Sequence, residues 1–302
     1  MKRDAVIISA VRTAVGKYGG SLASIKDYEL GSIVIKEAVK RSNIDQNEID
    51  DVYFGNILGL PGNVAKVCAI GEGLPDHIPA TTIDRQCASS LETVGIATAM
   101  IKSCMGDIYV VGGCESMTNK PYYLERGKKP YQMAAPKFLE SMFVPPEFEQ
   151  ISMGETAENI LDIYPFSRME LDEFSFKSHL RALKAIKDNK FKDEIIPVKV
   201  RLGKKEFIFD IDESPRKEIN MEALSKLSSI FRVGGEVTAG NSIGDKAMQK
   251  AAEIMSASAI DILLDPIIIK EAKQEFNDRL GTRIYKTLLP IDIEPPLKIN
   301  LK

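Results

Sequence analysis

Four short apolar segments, separated by three stretches of helical period, place the strongest constraint on this chain. They are "AVIISAV" (5–11), "DDVYFGNIL" (50–58), "ATTIDRQ" (80–86) and "GDIYVVGGCES" (106–116), all carrying β-branched residues. Between them lie "DYELGSIVIKEAVKRS" (27–42), with Asp27 as its expected N-cap, and "NVAKVCAIGEG" (63–73), ended by glycine. A third helix is expected over 87–105. A chain that alternates strand and helix buries both most readily as a mostly parallel sheet covered by helices, with right-handed crossovers. Residues 1–117 are therefore expected to form an α/β domain.

The texture changes between 118 and 240, where proline, methionine and charge increase. One strong helix stands out, "SRMELDEFSFKSHLRALKAIKDNK", with Ser167 and Glu170 in the S-x-x-E spacing of a capping box. "DEIIPVKVRLGKKEFIFDID" follows as two strands joined by a Gly-Lys turn. This region is expected to be an α+β excursion inserted on the first domain. From 241 to 302 the pattern is helical again. "DKAMQKAAEIMSASAIDILLD" (245–265) is amphipathic, and Asp265-Pro266 opens a further helix that ends near Gly281.

Bulk properties exclude several function classes. The 302 residues are 44% apolar and 27% charged, enough for a real core. A net charge of −3 argues against nucleic acid or an anionic membrane surface as the main partner. No apolar run reaches the roughly 18–20 residues of a membrane-spanning helix, and "MKRDAVIISAVRT" suits a first strand better than a signal peptide. A cytoplasmic location is expected. Cys68, Cys87, Cys104 and Cys114 show no CxxC spacing, and the histidines are His77 and His179. Reduced thiols are expected, with no zinc site and no resident cofactor.

Cys87 sits where the third strand turns into the third helix. In the first turn of a helix a thiol would face unsatisfied N–H groups and the positive end of the dipole, which suits a reactive cysteine. Ala88, Ser89 and Ser90 leave room for a substrate. The pattern alone also allows a small buried residue, as free cysteine often is. Asp84 and Arg85 could assist Cys87 or pair with each other.

A wider pattern bears on that choice. "VIISAVRTAVGKYGGSL", "GNILG", "QCASSLE", "GGCESM", "MGETAENI", "FKDEIIPV" and "VTAGN" follow one another in the order and approximate spacing of thiolases. By these motifs residues 1–241 resemble the first half of that family, which exchanges acyl groups between a cysteine and coenzyme A. The resemblance implies that Cys87 takes the acyl group as a thioester, and that acyl-CoA is the substrate and coenzyme A the ligand. It further places Arg216 near the nucleotide end of coenzyme A and Ala239 beside the pantetheine. Met153 falls in "SMGETAE", where some thiolases carry a histidine that Ser152 replaces here. For Arg216 a solvated surface role stays open, and for Met153 a packing role. The family's serine after the "GN" asparagine is Ile243 here, so Ser242, one position early, is the candidate contact. A homo-oligomer is the family's usual state.

The same resemblance implies a second half with a Gly-His-Pro histidine and a Cys-x-Gly-Gly-Gly cysteine. Neither motif occurs after residue 242, and neither His77 nor His179 matches that histidine. His77 is expected in a loop and His179 on a surface or in packing. General-base help is worth about 10²–10⁴ in rate, so full turnover is expected to be impaired. The Cys87 backbone N–H would remain as one oxyanion donor. "SIGDKAMQKAAEIMSASAIDILLDPIIIKEAKQEFNDRL" and "LLPIDIEPP" resemble the C-terminus of zinc amidohydrolases of the aminobenzoyl-glutamate-utilisation type, without their metal site. The expectation is a thiolase first half joined to a helical tail of unrelated origin, with a non-catalytic remnant from a gene fusion as the alternative.

Overall fold

The computed structural model describes residues 3–242, apart from 60, 61, 72, 128–134, 136 and 140. The helices expected at 245–265 and from 266 lie outside the described residues.

The first elements are β1 (Arg12–Thr13), α1 (Asp27–Ser42), β2 (Asp51–Gly55), α2 (Val64–Gly71), β3 (Ala80–Ile83), α3 (Ser89–Lys102) and β4 (Tyr109–Gly113). β2 lies between β3 and β4 with both pairings parallel, in register Val52 opposite Ala80 and Val110. This is the expected parallel α/β arrangement. Val52 and Phe54 on β2 pack with Ile35 of α1 and with Val64, Ala65 and Cys68 of α2 into one buried cluster.

The expected boundaries change in instructive ways. Among the described residues the segment 5–11 has no strand partner: residues 3–10 alternate half-buried and exposed, and Val6 and Ile8 are exposed. Alternation sets an extended chain, but a strand also needs a ladder partner. Pairing starts only at Arg12, whose N–H donates to the Glu194 carbonyl at 2.8 Å. Asp27 is the first residue inside α1, not its cap; Lys26 holds the N-cap position at φ −75°, ψ 157°. The buried Asp27 carboxylate instead accepts the Tyr28 N–H at 2.9 Å and the Asn56 amide at 3.0 Å. β3 stops at Ile83 rather than 86, and α3 starts at Ser89 rather than 87.

Further along come β5 (Tyr123–Leu124), β6 (Phe138–Leu139), α4 (Met153–Ile163), α5 (Arg168–Lys187), β7 (Ile195–Ile196), β8 (Val198–Leu202), β9 (Lys205–Phe209) and α6 (Met221–Ser225). The capping box at Ser167 and Glu170 forms as expected, and Ser152 with Glu155 forms a second one at the start of α4. β8 and β9 are the expected hairpin, with Gly203 at φ +61° in the turn. β7 pairs instead in parallel with β1. That junction is tied by Arg12, which meets Asp212 through two hydrogen bonds of 2.8 and 3.1 Å and Glu194 through one of 2.7 Å. Its guanidinium also lies 5.2 Å from the centre of the Phe191 ring. Among the described residues no helix is long and apolar enough to cross a membrane.

Candidate active site

Cys87 stands on a tight turn at the carboxyl end of β3, where parallel α/β sheets place their ligands. Ala88 is the N-cap of α3, so Cys87 precedes the helix by one further residue and is not in its first turn. The expectation of a thiol set among the first helical N–H groups is corrected accordingly. Two local side chains produce this. The Asp84 carboxylate accepts the Gln86 N–H at 2.9 Å, which turns the chain away from strand geometry. The buried Ser89 hydroxyl accepts the Arg85 N–H at 2.8 Å and donates to the Gln86 carbonyl at 2.5 Å. Between them Gln86 adopts φ +51°, a left-handed conformation uncommon for a residue with a side chain. Strain of this kind costs about 1–3 kcal/mol and persists where neighbours enforce it. The result holds Cys87 outward, and its residue is exposed.

The start of α3 rests against the ends of two neighbouring strands. A Cβ at Gly55 would lie 2.7 Å from the Ser90 nitrogen, and one at Gly113 would run into the Ser90 hydroxyl. Thr93, fully buried, accepts the Gly112 N–H at 3.1 Å and donates to the Ser90 carbonyl at 2.6 Å. Glycine at the ends of β2 and β4 is thus what lets the helix come close enough to aim the turn. Arg85 and Asp84 do not pair with each other; Arg85 forms an ion pair with Glu92 of α3.

A buried polar cluster behind this turn was not assigned from sequence, although both of its motifs were conspicuous there. Asn56 of "GNILG" donates to the Cys114 carbonyl at 2.8 Å and to the Glu115 carboxylate at 3.2 Å. Glu115 of "GGCESM" in turn accepts the N–H groups of Ile57 at 2.9 Å and Leu58 at 3.2 Å. Burial pushes the Glu115 carboxyl above its ordinary range, with Asp27 adding to the effect, against the pull of the N–H donors. Cys114 lies 3.8 Å, sulfur to sulfur, from the fully buried Cys68. That contact, followed by burial, drives the Cys114 thiol up.

The other candidate residues gather around α4 and α5. Met153 is the first residue of α4, exposed, behind the N-cap Ser152. Ala239 is exposed on the 236–242 loop, and Ser242, half-buried, donates its N–H to the Thr238 carbonyl at 2.7 Å. The loop is fixed to α4 by Glu158, whose buried carboxylate accepts the Val237 N–H at 2.8 Å and the Glu236 N–H at 3.2 Å. Arg216 exposes its side chain, while its backbone N–H donates to His179 Nδ1 of α5 at 3.1 Å. His179, half-buried on α5, thus also accepts a specific hydrogen bond. Its partner is remote in sequence, so local pattern carried no signal of it. His77 lies in the turn before β3, as expected.

The family model described as "Thiolase, N-terminal domain" matches residues 5–248. An acetyl-CoA acetyltransferase of Syntrophomonas wolfei is 41% identical over 270 residues, spanning 87% of this chain and 68% of that protein. One from Pseudomonas aeruginosa is 36% identical over 276 residues, spanning 89% and 70%. The crystal structure of the Bacillus anthracis acetyl-CoA acetyltransferase superposes with a TM-score of 0.73 at 35% identity, covering 80% of this chain and 62% of that one. The chain thus spans about two thirds of the length of these relatives, and the match continues past residue 241.

Proposed function

Because the chain belongs to the thiolase family, we propose that it accepts an acyl group from an acyl-CoA onto Cys87. The observation that carries this reading is the strained, hydrogen-bonded turn that holds Cys87 outward at the carboxyl end of the parallel sheet. In the proposed step the Cys87 thiolate attacks the thioester carbonyl. The carbon–sulfur bond to coenzyme A breaks, a new thioester forms on Cys87, and coenzyme A leaves as its thiolate to be protonated from solvent. Covalent catalysis of this kind divides one difficult transfer into two easier ones. Arg216 is assigned to the nucleotide end of the ligand and Ala239 to its pantetheine, with Met153 and Ser242 as further contacts. All four sit on one connected group of elements, which supports a single extended ligand. Acyl-CoA enters as substrate, and no further cofactor is invoked.

The proposal is confined to this half-reaction. The two histidines, His77 and His179, lie in a turn and on α5, and neither matches the family's catalytic histidine. Turnover by these 302 residues alone is expected to be slow. That same observation favours the second reading, a non-catalytic thiolase remnant that binds acyl-CoA without being acylated.

Incubation with acetyl-CoA followed by intact-protein mass spectrometry decides between them. Acyl transfer gives one acetyl adduct that maps to Cys87 and is lost in Cys87→Ala. A folded chain, by circular dichroism, that shows no adduct defeats the enzyme reading.

A further inference from the structure

Helix α5 carries Arg168, Asp172, Ser175 and His179 at spacings of four, three and four, which places them on one face. Asp172, 1% exposed, accepts the Asn241 amide at 2.9 Å through one oxygen and Arg168 Nε at 2.8 Å through the other. Ser175, also buried, donates to the Gly240 carbonyl at 2.6 Å. One turn further on, His179 Nδ1 accepts the Arg216 N–H. A single helix face thus grips two segments distant in sequence, 216 and 240–241, about 6 Å apart along its axis at Ser175 and His179.

What the grip leaves exposed is specific. Thr238 and Asn241 are buried and bonded to each other through the Thr238 N–H at 2.7 Å, while Ala239 between them faces outward. Arg216 is held by its backbone, and its side chain stays exposed. An apolar face could anchor a loop more cheaply than buried carboxylates. Hydrogen bonds add direction, fixing which residue of each segment points away from the helix.

We infer that α5 is the positioning element of the coenzyme A site. Its residues Asp172, Ser175 and His179 hold the Ala239 and Arg216 segments at one mutual spacing. This rests on the proposed function, since it takes Ala239 and Arg216 as the ligand contacts. His179 acts through Arg216 and touches no reacting atom. Its Nδ1 must be unprotonated to accept, which places the ring hydrogen on Nε2.

The test uses the full chain with coenzyme A as the probe. His179→Ala removes the acceptor, and His179→Asn returns an amide oxygen close to the Nδ1 position. Isothermal titration calorimetry is expected to show binding weakened about 3- to 10-fold in H179A and restored to within about twofold in H179N. Alkylation of Cys87 by iodoacetamide, a reagent too small to need the α5 face, is expected to keep its rate in both. If H179A fails to fold by circular dichroism, Ser175→Ala takes its place with the same expected loss. Wild-type binding with unchanged affinity in the alanine variant overturns the positioning role alone. Parallel loss of binding and of Cys87 alkylation also overturns it, because it reports general loosening. A folded wild-type chain that does not bind coenzyme A overturns the functional reading and this inference together.

Discussion

The Ser89 hydroxyl donates a 2.5 Å hydrogen bond to the carbonyl of Gln86, a residue that stands at φ +51°. The same oxygen accepts the Arg85 N–H at 2.8 Å. One buried serine therefore closes the turn on both sides of the strained residue that precedes Cys87. Ser89→Ala leaves the Arg85 N–H without this acceptor, which is expected to cost about 1–3 kcal/mol in urea unfolding. Release of the turn is expected to slow acetyl transfer to Cys87 about tenfold or more, since small misplacements of a nucleophile are expensive. Gln86→Gly relieves the positive φ at the entropic cost of a glycine, so it should be as stable as wild type or up to about 2 kcal/mol more stable. Wild-type acetylation kinetics in S89A would show that the turn is held by other means.

Burial sorts the four thiols into two classes. Cys87 and Cys104 are exposed, whereas Cys68 is fully buried and Cys114 is half-buried against it. The Cys68 contact and burial both raise the Cys114 thiol, which depletes its thiolate, the form that reacts. Iodoacetamide under native conditions is expected to label Cys87 and Cys104 and to spare the other two until denaturant is added. Peptide mapping checks this, and fast native labelling of Cys114 would contradict the packing around Gly31, where both sulfurs lie.

Glu115 should leave a signature in the pH dependence of stability. Burial raises its folded-state pKa above the ordinary 4.5, so the native state holds this proton more tightly than the unfolded chain does. Its contribution is therefore most favourable below 4.5, falls as pH rises through the raised value, and is constant above it. Glu115→Gln cannot ionise and lacks this fall. Guanidinium unfolding across that window should show E115Q gaining on wild type as pH rises. A difference that does not vary with pH would place the Glu115 carboxyl in a more solvated site.

These features differ in how far a reader of the sequence could see them. The strand–helix order and the Ser167–Glu170 cap were legible because their signals are local. Cys87 was legible as a residue at a strand-to-helix junction, but not its exit from the helix. Asp84 and Ser89 bend the backbone through side-chain hydrogen bonds that compete with both neighbouring elements. The segment 5–11 has strand composition, yet composition does not supply the partner that a ladder requires. His179 and Arg216 lie on different elements and meet only through the fold. Asn56 and Glu115 were visible as parts of two motifs, and only their meeting shows that each satisfies the other.

The Arg12–Asp212 pair provides a test of how the β1–β7 junction is held. The Asp212 side chain is 1% exposed and that of Arg12 18%. Asp212→Asn removes the charge that Arg12 meets through two hydrogen bonds, and breaking a buried pair from one side is expected to cost about 3–5 kcal/mol. Arg12 would keep Glu194 at 2.7 Å and the Phe191 ring, so the lower end, about 3 kcal/mol, is expected. Replacing both partners, Arg12→Met with Asp212→Leu, removes the stranded charge and should recover part of that loss. Recovery stays incomplete because Asp212 also accepts the Val15 N–H at 2.9 Å, a bond leucine cannot make. Urea unfolding of wild type, Arg12→Met, Asp212→Leu and the double variant closes the cycle. A double variant less stable than the sum of the single losses predicts would show that packing of the two stems, rather than their charges, holds the junction.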